Sequence, residues 1–274
     1  MRVGQVDAGV IPITDFQLAL SVILVFITGL ITAVLRLGLL KSLFWGTVRT
    51  FVQLTLIGYA LNFIFNFNNL ALIITIVVFM CGVASKTAVN QTLSVGKFPL
   101  VLGFVSLLAS TFLVGTIVVA LIIAPKPWYT ARIVIPIFGM ILGNSMNGIS
   151  LAMDRLVSEV RSRVAEVESL LSFGATPWEA VRDCAKVALR AGMTPTINSL
   201  MVVGLVSLPG MMTGQILGGA DPQQAVRYQI VVMLMITAAV AIGCLLLVMM
   251  YYKKVFTLDD ALAASLLDTD GRKK

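Results

Sequence analysis

The stretch PLVLGFVSLLASTFLVGTIVVALIIA, residues 99–124, contains no charged side chain. A helix needs about 20 consecutive apolar residues to cross the hydrocarbon core of a bilayer, so this stretch is long enough to span it. The whole chain of 274 residues is 58% hydrophobic and 12% charged, and its mean hydropathy is +0.98. Because soluble domains carry about 25% charged residues, the composition predicts an all-α, polytopic membrane protein.

Apolar periodicity and length predict seven membrane spans in one transmembrane domain covering 1–274. They lie at roughly 16–35, 47–65, 70–85, 99–124, 133–153, 196–216 and 229–251. A polar segment, 154–192, separates spans five and six, and a polar tail covers 257–274. The first span is long enough to cross the bilayer, so we expect no cleaved signal peptide. Thr14 and Gln17 are expected to cap this span.

The distribution of basic residues predicts the orientation. With the N-terminus outside and seven spans, sixteen of the twenty Lys and Arg residues fall inside and four fall outside. The positive-inside rule therefore favours an outside N-terminus and a cytoplasmic C-terminus in the cell (inner) membrane. None of the thirteen Asp and Glu residues falls within a predicted span. This argues against transport driven by protons, which usually needs an intramembrane carboxylate.

The polar segment begins with an amphipathic pattern over residues 154–173. Apolar side chains recur at helical spacing, at Leu156, Val160, Val164, Val167 and Leu171. Six acidic and six basic residues balance between 154 and 190, unlike a helix that binds anionic lipid. Two interpretations stay open. The segment is either a solvated extension of span five that packs on its own chain, or a surface for a protein partner.

The stretch LLSFGATPWEAVRD, residues 170–183, predicts a sharply defined helix–turn–helix. Gly174 follows a helical run, where a left-handed residue ends a helix. Thr176 is a predicted N-cap, Pro177 suits the first helical position, and Glu179 completes a capping box. A segment that transmits displacement must be stiff, and two capped helices meet that need. Trp178 is interpreted as an apolar anchor for a partner, with membrane-interface anchoring as the alternative.

Several polar residues within the predicted spans are candidates for a transport pathway. Arg49 and Gln53 lie four residues apart on one helical face of span two. A snorkelling arginine is the alternative interpretation of Arg49. Met140, Asn144 and Asn147 share a face of span five, although asparagine amides also hold membrane helices together. Three glycines of this span favour close packing: Gly139, Gly143 and Gly148.

Span six is interrupted by Pro209 and Gly210, which Met211 and Met212 follow directly. Such a break frees backbone carbonyls and is tolerated next to protein or a cavity. Thioethers are soft ligands that suit Cu(I) better than Fe(II). Since the chain has no histidine, the sequence assigns no metal ligands. Ordinary apolar packing stays the alternative for most of the thirteen methionines.

Several stretches together resemble a known family. EVESLLSFGATPWEAV resembles the cytoplasmic loop of ABC permeases, with Glu168 six residues before Gly174. That likeness ends early, because the usual Leu-Pro is replaced by Lys186 and Val187. IPIFGMILGNSMN (135–147), GATP (174–177), GLVSLPGMMTG (204–214) and VRTFVQLTLIGY (48–59) resemble the Fet-type iron-export permeases, a family that includes plant aluminium-tolerance permeases. Order and spacing agree from about residue 20 to 255.

The resemblance implies a permease that dimerises, pairs with a separate cytosolic ABC ATPase and moves iron outward. The residues expected to couple to the ATPase are Glu168, Gly174, Ala175, Thr176, Pro177, Trp178 and Glu179. The chain has no G-x-x-x-x-G-K-[ST] loop, so ATP and Mg²⁺ belong to the partner and this chain is not expected to be an enzyme or to bind a cofactor. Lipid is a further expected partner and nucleic acid is not. The alternatives are a permease for another metal or organic cargo, and a scaffold or receptor without a pathway.

Overall fold

The computed structural model describes residues 13–67, 69–90, 98–257 and 261–262, which are almost entirely helical. This confirms the predicted all-α class. The helices are α1 (Asp15–Val34), α2 (Leu40–Phe67), α3 (Leu70–Asn90), α4 (Phe98–Ile117), α5 (Ala131–Ser162), α6 (Val164–Ser172), α7 (Pro177–Val202), α8 (Gly210–Leu217) and α9 (Pro222–Val255). Helix α4 continues as a π-helix, Val118–Ile123. The chain divides into two compact units, Met1–Asn68 with Gly214–Asp221, and Asn69–Thr213 with Pro222–Lys274.

Six helices in the described part of the chain are long and apolar enough to cross a membrane. They are Asp15–Val34, Leu40–Phe65, Leu70–Val89, Leu100–Ile123, Ala131–Ser162 and Pro222–Val255. The predicted span at 196–216 is not one continuous helix, so the predicted count of seven is not met by these helices. Helix α7 ends at Val202, and the chain turns through Gly204 at φ +84° before α8 begins. Pro209 has no N–H to continue a helical ladder.

In the first unit, α1 and α2 expose most of their apolar side chains. The predicted cap is confirmed, because Gln17 N–H donates to the Thr14 hydroxyl and Thr14 N–H donates back to the Gln17 side chain. Thr32 is the buried residue of α1. An exposed apolar surface of this length fits contact with lipid rather than water.

In the second unit, α5 packs against α3, α4, α7 and α9. Helices α5 and α7 approach closely where Gly148 faces Gly192. A Cβ added at Gly192 would lie 2.6 Å from the Gly148 carbonyl oxygen and 2.8 Å from the Cys244 sulfur. The close packing predicted for Gly148 is therefore confirmed, and Gly139 lies near Met80. Gly143 has no neighbour within 4 Å of a Cβ added there, so packing within the chain does not use it.

The predicted amphipathic helix at 154–173 is two helices. Helix α5 extends to Ser162, and the chain bends at Arg163, whose backbone leaves the helical region (φ −119°, ψ 25°). Glu159 stands at this bend and forms ion pairs with Arg155 at 2.7 Å and Arg163 at 3.3 Å.

The predicted apolar face of this segment packs on its own chain. Leu156, Val160 and Val167 are buried in a cluster that includes residues of α7 and α9, and Val164 and Leu171 pack against it. This observation supports the first of the two interpretations for the apolar face.

Candidate functional sites: the elbow and the methionine cavity

We call residues 168–179 the elbow, since they contain the turn between α6 and α7. Its first half is a complete Schellman motif. Ala175 N–H donates to the Leu170 carbonyl at 3.0 Å, and Gly174 N–H donates to the Leu171 carbonyl at 2.9 Å. Gly174 has φ +89°, which confirms its predicted left-handed conformation. A glycine is needed here because a Cβ strains this backbone conformation.

The second half of the elbow is a complete capping box. Glu179 N–H donates to the Thr176 hydroxyl oxygen at 3.3 Å, and Thr176 N–H donates to Glu179 Oε2 at 2.8 Å. Pro177 occupies the first turn of α7, as predicted. Hydrogen bonds from the Thr176 backbone and hydroxyl lower the pKa of the exposed Glu179 carboxyl below its ordinary value of 4.5. The carboxylate therefore stays charged at neutral pH, which also suits a helix N-terminus.

The aromatic residues of the elbow differ in their environments. Trp178 is half-buried, and its ring centroid lies 5.1 Å from that of Tyr252 near the end of α9. Much of the Trp178 side chain, predicted as an anchor for a partner, therefore contacts its own chain. Phe173 is instead 88% exposed. Phe173 was not among the predicted site residues, although a large apolar residue directly before a helix-ending glycine is a usable signal.

Behind Trp178 lies a cavity of about 320 Å³, which Pro177, Tyr252 and Phe256 also line. Glu168 and Thr176 are exposed, whereas Ala175 is partly covered. The elbow is thus fixed by local hydrogen bonds and by packing against the end of α9. It presents Phe173 and the carboxylate of Glu168 outward.

A second site, which we call the methionine cavity, has a volume of about 310 Å³ and lies entirely in the second unit. Four residues predicted for a pathway line it together: Met140, Asn144, Pro209 and Met211. They come from α5 and from the chain at the start of α8. The interruption between α7 and α8 forms part of the wall through Val203, Ser207 and Gly210.

The other predicted pathway residues lie elsewhere. Asn147 is exposed on α5 and does not line the methionine cavity. Met212 is buried and lines a neighbouring, apolar cavity, because consecutive helical residues point about 100° apart. Arg49 and Gln53 are exposed on α2, in the first unit. Sequence spacing could not separate these residues from the four that meet.

Sequence analysis also missed several cavity residues. Met233 and Gln229 of α9 line the wall, as do Thr196 and Ser199 of α7. Gln229 lies at the predicted start of the last span, where an amide is ordinary at a membrane interface. A buried polar side chain in a transmembrane helix is the signal that could have identified it.

The wall of the methionine cavity is polar but uncharged. None of its described lining residues is an acid, a base or a cysteine. Across the described residues, no group of three or more His, Cys, Asp or Glu side chains could hold a metal ion. Amides, hydroxyls and thioethers are the side-chain groups available for binding.

The apolar helices and the polar cavity between them define an α-helical protein of the membrane. The chain belongs to the family described as Uncharacterised protein family (UPF0014), whose profile matches residues 15–256. This agrees with the resemblance found in the sequence. No solved structure matches the chain.

Relatives cover nearly the whole chain. UPF0014 membrane protein YjkA of Bacillus subtilis is 38% identical over 90% of this chain and 97% of its own length. The Escherichia coli protein named "Probable iron export permease protein FetB" is 34% identical over 89% of this chain and 93% of its own length. Protein ALUMINUM SENSITIVE 3 of Arabidopsis thaliana is 35% identical over 87% and 86%.

Proposed function

We propose that this chain is the membrane permease of an ABC-type exporter that moves iron out of the cell, with ATP hydrolysed by a separate cytosolic subunit. The observation that carries the proposal is the relationship with the probable iron export permease, which extends over 93% of that protein's length. Similarity over nearly the whole of both chains supports a shared role in transport.

The elbow supports the role of the ATPase. A permease that is powered by a separate ATPase must receive displacement from it, and a stiff, capped turn transmits displacement better than a loose loop. Phe173 offers a large exposed apolar side chain, of the kind that anchors interfaces. Glu168, on the same helix, adds an exposed carboxylate. In this arrangement Phe173 contacts the partner, while Trp178 holds the elbow on α9.

Orientation and stoichiometry complete the proposal. The excess of basic residues, counted with seven crossings, favours an elbow and C-terminus in the cytoplasm and an N-terminus outside the inner membrane. The interrupted stretch of α7 and α8 then carries the chain back across the membrane, and α9 returns it to the cytoplasm. Two permeases related by a two-fold axis match two ATPases, which hydrolyse ATP between them. ATP and Mg²⁺ bind to those partners.

Transport in inverted membrane vesicles tests the proposal. Vesicles that contain the permease and its ATPase should accumulate ⁵⁵Fe when ATP is supplied, because the cytoplasmic face is outermost. A non-hydrolysable ATP analogue, and vesicles lacking either subunit, should show only background uptake. Equal uptake with the non-hydrolysable analogue would exclude an ATP-driven exporter. ATP-driven uptake of another metal, with none of iron, would keep the class and change the cargo.

A further inference from the structure

The methionine cavity is rich in thioether sulfur. Met140 of α5, Met211 of α8 and Met233 of α9 all line it, so three of its thirteen lining residues are methionines, against thirteen of 274 in the chain. These three side chains are half-buried and border the open space. The adjacent Met212 is only 7% exposed and does not line this cavity. The three thus differ from a methionine of the packed core.

Gln229 gives a second, independent observation. Its side chain lines the same cavity and is 5% exposed, yet its Oε1 atom has no hydrogen-bond partner. A buried, unpaired carbonyl oxygen costs free energy, and native proteins rarely keep one without a purpose. The oxygen lacks a partner that a hydrogen-bond donor or a cation bound in the cavity could supply.

The polar groups of the wall include acceptors that suit a cation. The Asn144 amide uses one of its two N–H groups on the Met140 carbonyl at 2.8 Å, and the Ser199 hydroxyl donates to the Pro195 carbonyl at 3.0 Å. Among the lining residues, the amide oxygens and the sulfur atoms of the methionines can serve as ligands of a metal ion.

The charge and softness of these ligands select the kind of cation. No described lining residue carries a negative charge to neutralise a di- or trivalent ion. The cost of desolvating an ion rises with the square of its charge, so a monovalent ion needs the least compensation. Thioethers are soft ligands and prefer Cu(I) to harder metals such as Mg²⁺ or Mn²⁺.

We propose that the methionine cavity is a binding site for a soft monovalent metal ion, Cu(I), held by Met140, Met211 and Met233 with Gln229 Oε1 beside them. Binding itself does not depend on an ATPase. Transport of Cu(I) would rest on the exporter class of the proposed function, whose proposed cargo is iron.

Binding to the full-length permease in lipid nanodiscs, without ATPase, tests this site. Cu(I), supplied anaerobically as its acetonitrile complex, is titrated in competition with a chromogenic Cu(I) chelator, and Ag(I) serves as a redox-inert second probe. We expect one ion per chain and an affinity for Cu(I) at least about a hundredfold above that for Fe(II). Absence of Cu(I) and Ag(I) binding would overturn the proposal.

Methionine-to-leucine substitutions identify the ligands, because they nearly conserve volume and apolarity while they remove sulfur. Met140→Leu, Met211→Leu and Met233→Leu should each weaken binding by at least about tenfold, and Gln229→Leu by less. Met212→Leu is the matched control and should stay within about twofold of wild type. Thermal denaturation of each variant checks that folding is retained.

The outcomes separate this site from the proposed function. Binding that survives in the triple Met140→Leu, Met211→Leu, Met233→Leu variant would show that the ion binds at other groups of the chain and refute the site. Equal losses in Met212→Leu and the other three would show a general packing effect and also refute it. Cu(I) binding without ATP-driven export would leave the site standing and remove the transport proposal. ATP-driven iron export without Cu(I) binding would do the reverse.

Discussion

The elbow and the interruption between α7 and α8 have similar local sequences but differ in how their polar groups are satisfied. In each, a helix ends, a glycine adopts a positive φ (+89° at Gly174, +84° at Gly204), and a proline lies at or next to the start of the following helix. The elbow satisfies its polar groups locally, through the Schellman motif and the capping box. The interruption borders a cavity in which Gln229 Oε1 has no partner.

The difference shows that one kind of local sequence can serve two purposes. Where both helix ends are satisfied by nearby groups, the turn is stiff and can act as a lever. Where polar groups face a cavity with their acceptors unused, the turn becomes part of a binding wall. Helix α7 joins the two, since it begins at the elbow and ends at the interruption. A movement of the elbow would therefore reach the methionine cavity through one helix.

The largest effect is expected from Gly192→Ala, which disturbs the packing of α7 against α5. Because α7 connects the elbow to the interruption, both regions should be displaced. The new Cβ would lie 2.6 Å from the Gly148 carbonyl oxygen and 2.9 Å from Ala152 Cβ. The backbone must shift, at a cost of about 3 kcal/mol. Thermal denaturation in detergent should show a clearly lower Tm. Gly143→Ala is the control, because its Cβ meets open space, and alanine favours a helix by about 1 kcal/mol. Equal Tm values for the two variants would contradict the close packing of α7 against α5.

A smaller effect, confined to the elbow, is expected from Trp178→Ala. The substitution removes the ring that packs on Tyr252 and enlarges the cavity behind it, so we expect a loss of about 2 kcal/mol. Denaturation measures the loss, and Trp178→Phe should recover part of it. Cu(I) binding at the methionine cavity should stay unchanged. If Trp178→Ala keeps wild-type stability but loses the ATPase, Trp178 is the docking anchor and our assignment to Phe173 is wrong.

The two glycines offer a crossed comparison. Gly174→Ala and Gly204→Ala each place a side chain on a positive-φ residue with open space around it, so each costs about 1 kcal/mol of backbone strain alone. Gly174→Ala should lower ATPase stimulation by the permease and leave Cu(I) affinity intact. Gly204→Ala should change Cu(I) affinity and leave ATPase binding intact. Both properties failing in both variants would show that the regions do not act separately.

The smallest effect is expected for the stability of the elbow at acidic pH. Hydrogen bonds from Thr176 depress the folded-state pKa of Glu179 below 4.5. A depressed pKa means that the charged carboxylate stabilises the elbow above the unfolded-state pKa, and that this contribution is lost as pH falls through the folded-state pKa. Glu179→Gln keeps a capping side chain without the charge. Its elbow should respond less than wild type to acidification below pH 4.5, measured by hydrogen exchange of the Thr176 and Glu179 amides. If Glu179→Gln and wild type respond to acid in the same way, the Glu179 carboxylate is not the cause of the acid sensitivity.

The fold was largely predictable from sequence because membrane solvation imposes simple rules. Long apolar runs must form helices to satisfy their backbone hydrogen bonds in the membrane. The helix-end signals at Thr14, Gly174 and Thr176 act over about three residues, so tertiary packing does not override them. The bend at Arg163 was missed, since it stands amid continuous amphipathic periodicity. The sequence predicts one span at 196–216 with an interruption at Pro209 and Gly210, whereas the helix already ends at Val202. Gly204, five residues before Pro209, supplies the turn.

The candidate sites were less predictable, because they depend on where separate helices meet. Met140, Asn144 and Met211 were identified from residue type, yet only packing showed that they share a cavity. Gln229 and Met233 come from another helix, and no local pattern links them to α5. Likewise, the exposure of Phe173 and the burial of Trp178 depend on the end of α9. Residue type predicted which chemical groups the sites contain, and tertiary packing decided which residues belong to each site.

The most direct test of the central claim compares Phe173→Ala with Phe173→Tyr in the complex of permease and ATPase. Phe173 is 88% exposed, so neither substitution should change the stability of the permease. If the elbow transmits force through Phe173, the alanine variant should lose at least about tenfold in ATPase affinity and in permease-stimulated ATP hydrolysis, as expected at an interface hot spot. The tyrosine variant should retain most of both. Full partner binding and full stimulated hydrolysis with Phe173→Ala would contradict the account.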